Sequence, residues 1–166
     1  GTSIIVNELF NNLPVRKKFL KSDIAETNAI SKLMYSLAIG YNNIAFKYIK
    51  DNRIEFTTLA NDPLDLRISN LLDSNLKDNL IEISSSNQVY KIYGFISNSN
   101  YYRGSRTLQY VYINNRLIDS SLIVNTIEKE YRSLIPNGRF PAFVIFIDTN
   151  PKNLDINVHP VSYTHL

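Results

Sequence analysis

The sequence contains no cysteine among its 166 residues. This absence excludes disulfide bonds, a thiolate nucleophile and cysteine-ligated zinc. Long hydrophobic runs are also missing: the strongest one, residues 142–147, is far shorter than the roughly 20 residues of a transmembrane helix. We therefore expect a globular, cytoplasmic protein without a membrane partner.

The motifs of a self-sufficient active site are missing as well. There is no G-x-x-x-x-G-K-[ST] or G-x-G-x-x-G segment to hold phosphates, and no G-x-S-x-G nucleophile elbow. His159 and His165 are the only histidines, and no acidic partner at helical spacing makes a metal pair with them. The sequence thus predicts no catalytic residue and no metal site.

Acidic residues are absent from residues 83–118, where four basic residues and six tyrosines fall. Three arginines of this stretch, Arg103, Arg106 and Arg116, lie in or beside predicted loops. Because arginine neutralises phosphates and releases counterions, they are candidate contacts to a nucleic-acid backbone. The alternative is that they are solvated surface charges, with Arg116 paired to Asp119.

A second basic cluster, Arg16-Lys17-Lys18, offers the same chemistry near the start of the chain. The formal net charge of the whole sequence is only +3, which is weak evidence for a polyanionic partner. These three residues therefore join the candidate phosphate contacts, again with solvated surface charges as the alternative.

Hydrophobic periodicity predicts a mixed α+β fold. The predicted strands cover residues 3–8, 44–48, 54–56, 80–84, 89–96, 108–113, 142–148 and, more weakly, 154–158. The predicted helices begin at Pro14, after a cap at Ser22 or Asp23, at Pro63, and after a cap at Asp119 or Ser120. Turns between strands are predicted at Asp51-Asn52 and at Asn114-Asn115. We expect Glu26 to form a capping box with Asp23, and Asp62 to be the N-cap of the helix that begins at Pro63. The last helix joins two strands in a β-α-β step.

Three segments together resemble the MutL-type DNA mismatch repair proteins. Residues 1–20 resemble the family's G-T-x-[VI]-x-V-x-x-L-F-x-N-x-P-[AV]-R-x-K-F-L pattern, and residues 112–116 its [FY]-V-N-G-R. Residues 155–160, Asp-Ile-Asn-Val-His-Pro, are similar to D-V-N-V-H-P. Asn115 replaces the usual glycine, a mild change at a turn that needs positive φ. The likeness covers residues 1–160.

The resemblance implies a particular fold and domain organisation. Residues 1–22 would be the last strand and helix of a Bergerat-type ATPase domain. Residues 23–160 would be a transducer domain with the ribosomal-protein-like β-α-β fold found in gyrase-type and MutL-type ATPases. Gly1 and Thr2 would lie at the edge of an incomplete ATP site. ATP and magnesium would serve the whole protein, whereas this chain alone would neither bind nor hydrolyse ATP.

The resemblance ends after Pro160. The family pattern continues with a lysine that reaches the γ-phosphate of ATP, yet Ser162 stands at that position here. Either the protein lacks this lysine, or residues 161–166 do not belong to its native sequence. We favour the second reading, because selection on one contact would not erase the whole flanking pattern.

The resemblance also implies a function. The chain would couple ATP binding and hydrolysis in an adjacent domain to DNA binding and partner signalling in a bacterial protein. That protein would be a homodimer, associated with the nucleoid in the cytoplasm, and would meet a mismatch-recognition protein and other repair factors. Two alternatives stay open: the transducer domain of a gyrase-type topoisomerase, and a stand-alone nucleic-acid-binding domain of the same fold.

Overall fold

The computed structural model describes residues 1–153, which form a mixed α+β fold. The helices are α1 (Pro14–Lys18), α2 (Asp23–Gly40), α3 (Leu64–Leu71) and α4 (Ser121–Tyr131). The strands are β1 (Phe46–Lys50), β2 (Arg53–Thr58), β3 (Leu80–Ser86), β4 (Tyr90–Ser97), β5 (Gln109–Ile113), β6 (Arg116–Ile118) and β7 (Phe143–Thr149). Two 3-10 helices occur at Ser74–Leu76 and Pro151–Asn153. The predicted strand over 154–158, the segment 155–160 and Ser162 lie outside the described residues.

The chain divides into two compact units, residues 1–34 and the residues from Tyr35 onward. In the first unit the predicted strand over residues 3–8 is not formed. Ile4 and Ile5 are 84% and 78% exposed there. A strand needs a neighbour to accept and donate its ladder hydrogen bonds, and no described strand pairs with this segment. The predicted domain boundary after residue 22 stays a prediction.

The helix starts in the first unit follow local capping chemistry. Pro14 occupies the first position of α1, as predicted, since its missing N–H would have no partner there. At the start of α2 the Ser22 hydroxyl accepts a hydrogen bond from the Ala25 amide at 3.4 Å. The predicted capping box with Asp23 is wrong: the Glu26 carboxylate accepts instead from the Lys21 amide, at 2.8 Å.

The second unit begins with the end of α2 and a two-stranded hairpin. β1 and β2 pair antiparallel around Asp51 and Asn52, which confirms the predicted turn, and the φ angles of these two residues are 48° and 62°. The next helix, α3, begins at Leu64, one residue later than predicted. Asp62 does not cap it, because its carboxylate accepts from the Leu59 amide at 2.8 Å instead.

The main element of the second unit is a five-stranded sheet in the order β3-β4-β7-β5-β6. β5 and β7 are parallel and α4 lies between them in the chain, which confirms the predicted β-α-β step. Ser120 caps α4 by accepting from the Ile123 amide at 3.4 Å. β6 was not predicted because three residues are too few to show an alternating pattern.

The two faces of the sheet are packed differently. On one face Val111, Phe143 and Ile145 form a core with residues of α4. The other face has a row of stacked aromatic rings: Tyr93, Phe146, Tyr112 and Tyr110, with centroids 4.8–6.5 Å apart. The buried Tyr112 hydroxyl donates to the Ser36 carbonyl at 2.8 Å, so the end of α2 is held against this aromatic row.

Candidate nucleic-acid interface

Arg103 lies in the loop 98–106 and contacts three residues, Tyr101, Asp73 and Phe140. Its Nε donates to the Tyr101 hydroxyl at 2.9 Å, and its guanidinium forms an ion pair with Asp73. The Tyr101 hydroxyl in turn donates to the same carboxylate at 2.9 Å. The Arg103 backbone also exchanges two hydrogen bonds with Phe140, at 2.8 and 2.9 Å. Arg103 therefore fastens the loop, and an acid within the domain already balances its charge.

Arg106 is held in a similar way by α4. Its guanidinium donates two hydrogen bonds to the Glu128 carboxylate, at 2.7 and 3.0 Å, and lies 4.2 Å from the centroid of the Phe140 ring. Glu128 also accepts from the Gln109 amide at 3.0 Å. The hydrogen bond from Arg106 holds the pKa of the Glu128 carboxyl below its usual range, so Glu128 stays ionised opposite Arg106.

Arg116 lies at the opposite end of the same strand. Arg106 precedes β5, whereas Arg116 follows it and pairs with Ile113, the last residue of β5. The five residues of β5 correspond to about 15 Å of strand. The structure therefore does not bring the three predicted arginines of this unit together into one surface.

The Arg116 side chain is exposed, and within residues 1–153 it forms no ion pair, including none with Asp119. It is presented by a rigid turn. Asn114 and Asn115 have φ angles of 47° and 63°, and the Asn114 side chain both donates to and accepts from the Thr149 backbone at 3.0 Å. Its cationic group is thus available to a phosphate, on a backbone that is fixed before binding.

The cluster Arg16-Lys17-Lys18 occupies the last turn of α1 in the first unit. All three residues are exposed, and no ion pair within the described part of the chain involves them. Val15 and Phe19, which flank the cluster, are 69% and 80% exposed. The three cations are therefore free to contact phosphate, which leaves their predicted role open.

The remaining site prediction concerns Gly1 and Thr2. Both are exposed and lie outside any helix or strand, and their proposed place at the edge of an ATP site stays a prediction. Among residues 1–153 no cluster of histidine, cysteine, aspartate or glutamate is arranged to hold a metal. No helix in that range is long and apolar enough to cross a membrane.

The sequence reasoning missed Arg67, the most deeply buried charge of the described structure. Its side chain is fully buried and donates to the carbonyls of Ala38, at 2.7 Å, and Tyr41 and Ile44, both at 3.3 Å. It also donates to the Leu59 carbonyl. Arg67 thus joins the end of α2, the hairpin and α3. The sequence did contain an indication of this burial. Arg67 falls on the same helical face as Leu64, Ile68 and Leu71, where the periodicity predicts an apolar residue.

Two further cations, Arg132 and Arg139, were also missed. Arg132 follows α4, and Arg139 lies in the turn after it, where a Cβ added to Gly104 would come within 3.2 Å of the Arg139 guanidinium. Both are exposed, and neither forms an ion pair within residues 1–153. Among the described residues, these two arginines therefore carry positive charge without an ion-pair partner, and both lie outside residues 83–118.

Comparisons with known proteins give a consistent result. A family model described as "DNA mismatch repair protein, C-terminal domain" matches residues 68–162. The chain is 37% identical over 160 residues to the DNA mismatch repair protein MutL of Clostridium tetani, covering 96% of this chain and 26% of that protein. It is 36% identical to MutL of Dictyoglomus thermophilum, covering 96% and 28%. The chain thus spans about a quarter of the length of these relatives.

Solved structures share the fold. The N-terminal domain of a DNA repair protein superposes with a TM-score of 0.74 at 24% identity, covering 91% of this chain and 51% of that one. The Aquifex aeolicus MutL ATPase domain complexed with ADP superposes with a TM-score of 0.63 at 24% identity, covering 88% and 52%. These superpositions confirm the predicted transducer fold.

Proposed function

The chain belongs to the MutL-type DNA mismatch repair family, and from this premise we propose that it couples nucleotide-dependent changes in an adjacent ATPase domain to DNA binding and partner signalling. The observation that carries the proposal is the family match together with the shared fold of MutL ATPase domains, one of them complexed with ADP.

The chain itself, in this proposal, is a binding and coupling module and not an enzyme. ATP and magnesium belong to the adjacent domain, and Gly1 and Thr2 reach only the edge of that site. The parent protein works as a homodimer with a mismatch-recognition protein and other repair factors, in the bacterial cytoplasm at the nucleoid. Calorimetric titration of the chain with ATP and magnesium should give no heat of binding; hydrolysis by the chain alone would contradict this division of roles.

Arg116 is the strongest candidate for a DNA contact in the second unit. It is exposed and lacks an ion-pair partner within residues 1–153, and the turn that presents it is fixed by Asn114. Arg103 and Arg106 keep 46% and 55% of their side chains exposed, but Asp73 and Glu128 already balance their charges. A phosphate would have to compete with those carboxylates, so their contribution to DNA affinity is the smaller one.

The DNA proposal is tested by fluorescence anisotropy with a short duplex over a range of salt concentrations. The wild-type chain should bind weakly, with an affinity that falls steeply as salt rises, because bound cations release counterions from the duplex. Arg116→Glu should weaken binding at every salt concentration. Arg53→Glu is the matched control: Arg53 is exposed and likewise follows a turn of two positive-φ residues, on the β1–β2 hairpin.

Equal losses from Arg116→Glu and Arg53→Glu would show that only net charge matters, and would remove Arg116 from the proposed interface. A reversal of Arg16, Lys17 and Lys18 tests the first unit separately in the same assay. If neither change reduces affinity while both proteins stay folded, the DNA-binding part of the proposed function is wrong.

A further inference from the structure

We propose that a groove at the C-terminal end of α4 binds a short linear segment of a partner protein that combines acidic side chains with one bulky apolar side chain. The groove has a volume of about 520 Å³ and is formed by the last turns of α4 and by the segment that leads from Ile135 into β7. Its size lies within the ~300–1,000 Å³ that is usual for ligand pockets. Its location is separate from Arg116 at the other end of the sheet.

The lining of the groove is both apolar and cationic. Pro136 and Phe140 supply apolar surface, and Arg132 and Arg139 contribute two exposed guanidinium groups. Neither guanidinium forms an ion pair within the described residues. A ligand therefore meets apolar surface together with two positive charges that have no ion-pair partner among the described residues.

The carboxylate that lines the groove, that of Glu128, already forms an ion pair within the domain. Glu128 lines the same cavity, but Arg106 donates two hydrogen bonds to its carboxylate and Gln109 donates a third. Glu128 thus forms its ion pair with Arg106, and it forms none with Arg132 or Arg139. The charge left for a ligand is positive, which selects carboxylates over cationic segments.

The walls of the groove are fixed before any ligand arrives. The Tyr131 hydroxyl donates to the Ser97 carbonyl, which joins α4 to the end of β4. Phe140 is held by its two backbone hydrogen bonds to Arg103 and by the Arg106 guanidinium over its ring. The Arg139 amide donates to the Pro136 carbonyl at 3.1 Å. Little ordering of the protein is needed on binding, which lowers the entropic cost.

A peptide fits these walls better than duplex DNA does. Guanidinium groups bind carboxylates with two parallel hydrogen bonds, so acidic residues of the segment can satisfy Arg132 and Arg139. An apolar side chain of the segment would cover Pro136 and Phe140, whereas a phosphodiester backbone offers no such group.

The experiment uses three fluorescein-labelled heptapeptides of the form Gly-Asp-Glu-X-Asp-Glu-Gly, with phenylalanine, leucine or methionine at X. Each is paired with a version in which asparagine and glutamine replace the acids. Anisotropy with the full chain should show at least one acidic peptide binding about tenfold or more tightly than its amide version, a difference of about 1.4 kcal/mol. If every acidic peptide fails to bind, or binds no better than its amide version, the proposal is overturned.

The double variant Arg132→Gln/Arg139→Gln locates the binding. It should reduce the affinity of the acidic peptide about tenfold and leave the thermal unfolding midpoint unchanged, because both side chains are exposed. The control Arg53→Gln/Lys77→Gln removes the same charge from exposed positions outside the groove and should leave the affinity unchanged. Equal losses in the two variants would overturn the proposed location.

Competition with DNA separates this proposal from the proposed function. Unlabelled duplex DNA should not displace the peptide from the wild-type chain, and Arg116→Glu should leave peptide binding unchanged. If DNA displaces the peptide, and Arg132→Gln/Arg139→Gln also binds DNA more weakly than wild type, the groove is part of the DNA surface. This result would overturn the peptide proposal. Failure of DNA binding alone would leave the peptide result intact.

Discussion

The three arginines of residues 83–118 have different roles at the two ends of the five-stranded sheet. At one end, Arg103 and Arg106 each face an acid, Asp73 and Glu128, and hold the loop 98–106 in place. At the other end, Arg116 follows a fixed turn and faces no acid among the described residues. Arg103 and Arg106 therefore serve the fold, whereas Arg116 is available to a ligand.

The comparison shows why a count of charges along a sequence misleads. Residues 83–118 contain no acid, yet Asp73 comes from before this stretch and Glu128 from after it. The fold brings both acids to the loop through the 3-10 helix after α3 and through α4. At this end of the sheet, the arginines of the basic stretch are therefore balanced by acids from other parts of the chain.

The largest expected effect concerns Arg67, the extreme case of an arginine that serves the fold. Arg67→Met should lower the free energy of unfolding by about 3–5 kcal/mol, as breaking a buried charged network usually does. The substitution leaves the carbonyls of Ala38 and Leu59 without their donor. Urea denaturation measures the change. Arg53→Met, at an exposed position, should have little effect, and equal stability of the two variants would contradict the assigned role.

An intermediate effect is expected at Asp73. Asp73→Ala removes the acceptor for Tyr101, the ion pair of Arg103 and the cap of the following 3-10 helix. We expect a loss of about 2 kcal/mol, together with faster amide hydrogen exchange at Arg103, whose N–H bonds to Phe140. Asp78→Ala, at an exposed position, is the control. Unchanged exchange at Arg103 would show that the loop does not depend on this contact.

The smallest expected effect on stability concerns Glu128, and it depends on pH. The hydrogen bond from Arg106 lowers the pKa of Glu128 in the folded state. The resulting stabilisation is therefore present above the ordinary pKa of a glutamate, about 4.3, and is lost as pH falls through the lower folded value. Glu128→Gln should unfold at a lower temperature than wild type at pH 7. Thermal unfolding of both proteins should converge as the pH is lowered, and a constant difference across pH would contradict the ion pair.

Much of the fold was predictable because its signals are local. Pro14, the Asp51-Asn52 turn, the Asn114-Asn115 turn and the cap at Ser120 all act through neighbouring residues, and each was found where expected. The strand over residues 3–8 was not, because its β-branched composition says nothing about whether a pairing strand is present. Asp62 was misread for a similar reason, since its carboxylate bonds to Leu59 instead of the helix start.

The candidate site was less predictable than the fold. Exposure of Arg116 follows from its place after a turn, and the structure agrees. The ion pairs of Arg103 and Arg106 depend on residues brought together by tertiary packing, which spacing in the sequence does not report. Arg132 and Arg139 were missed because they lie outside residues 83–118 and outside the cluster Arg16-Lys17-Lys18, the two segments from which the candidate phosphate contacts came.

The most direct test of this division of roles is the salt dependence of duplex DNA affinity for wild type, Arg116→Gln and Arg106→Gln. Arg116→Gln should reduce the slope of log affinity against log salt by about 0.9, the value for one lost phosphate contact, without changing the unfolding temperature. Arg106→Gln should keep the wild-type slope and lower the unfolding temperature. A reduced slope in Arg106→Gln together with a wild-type slope in Arg116→Gln would contradict the account.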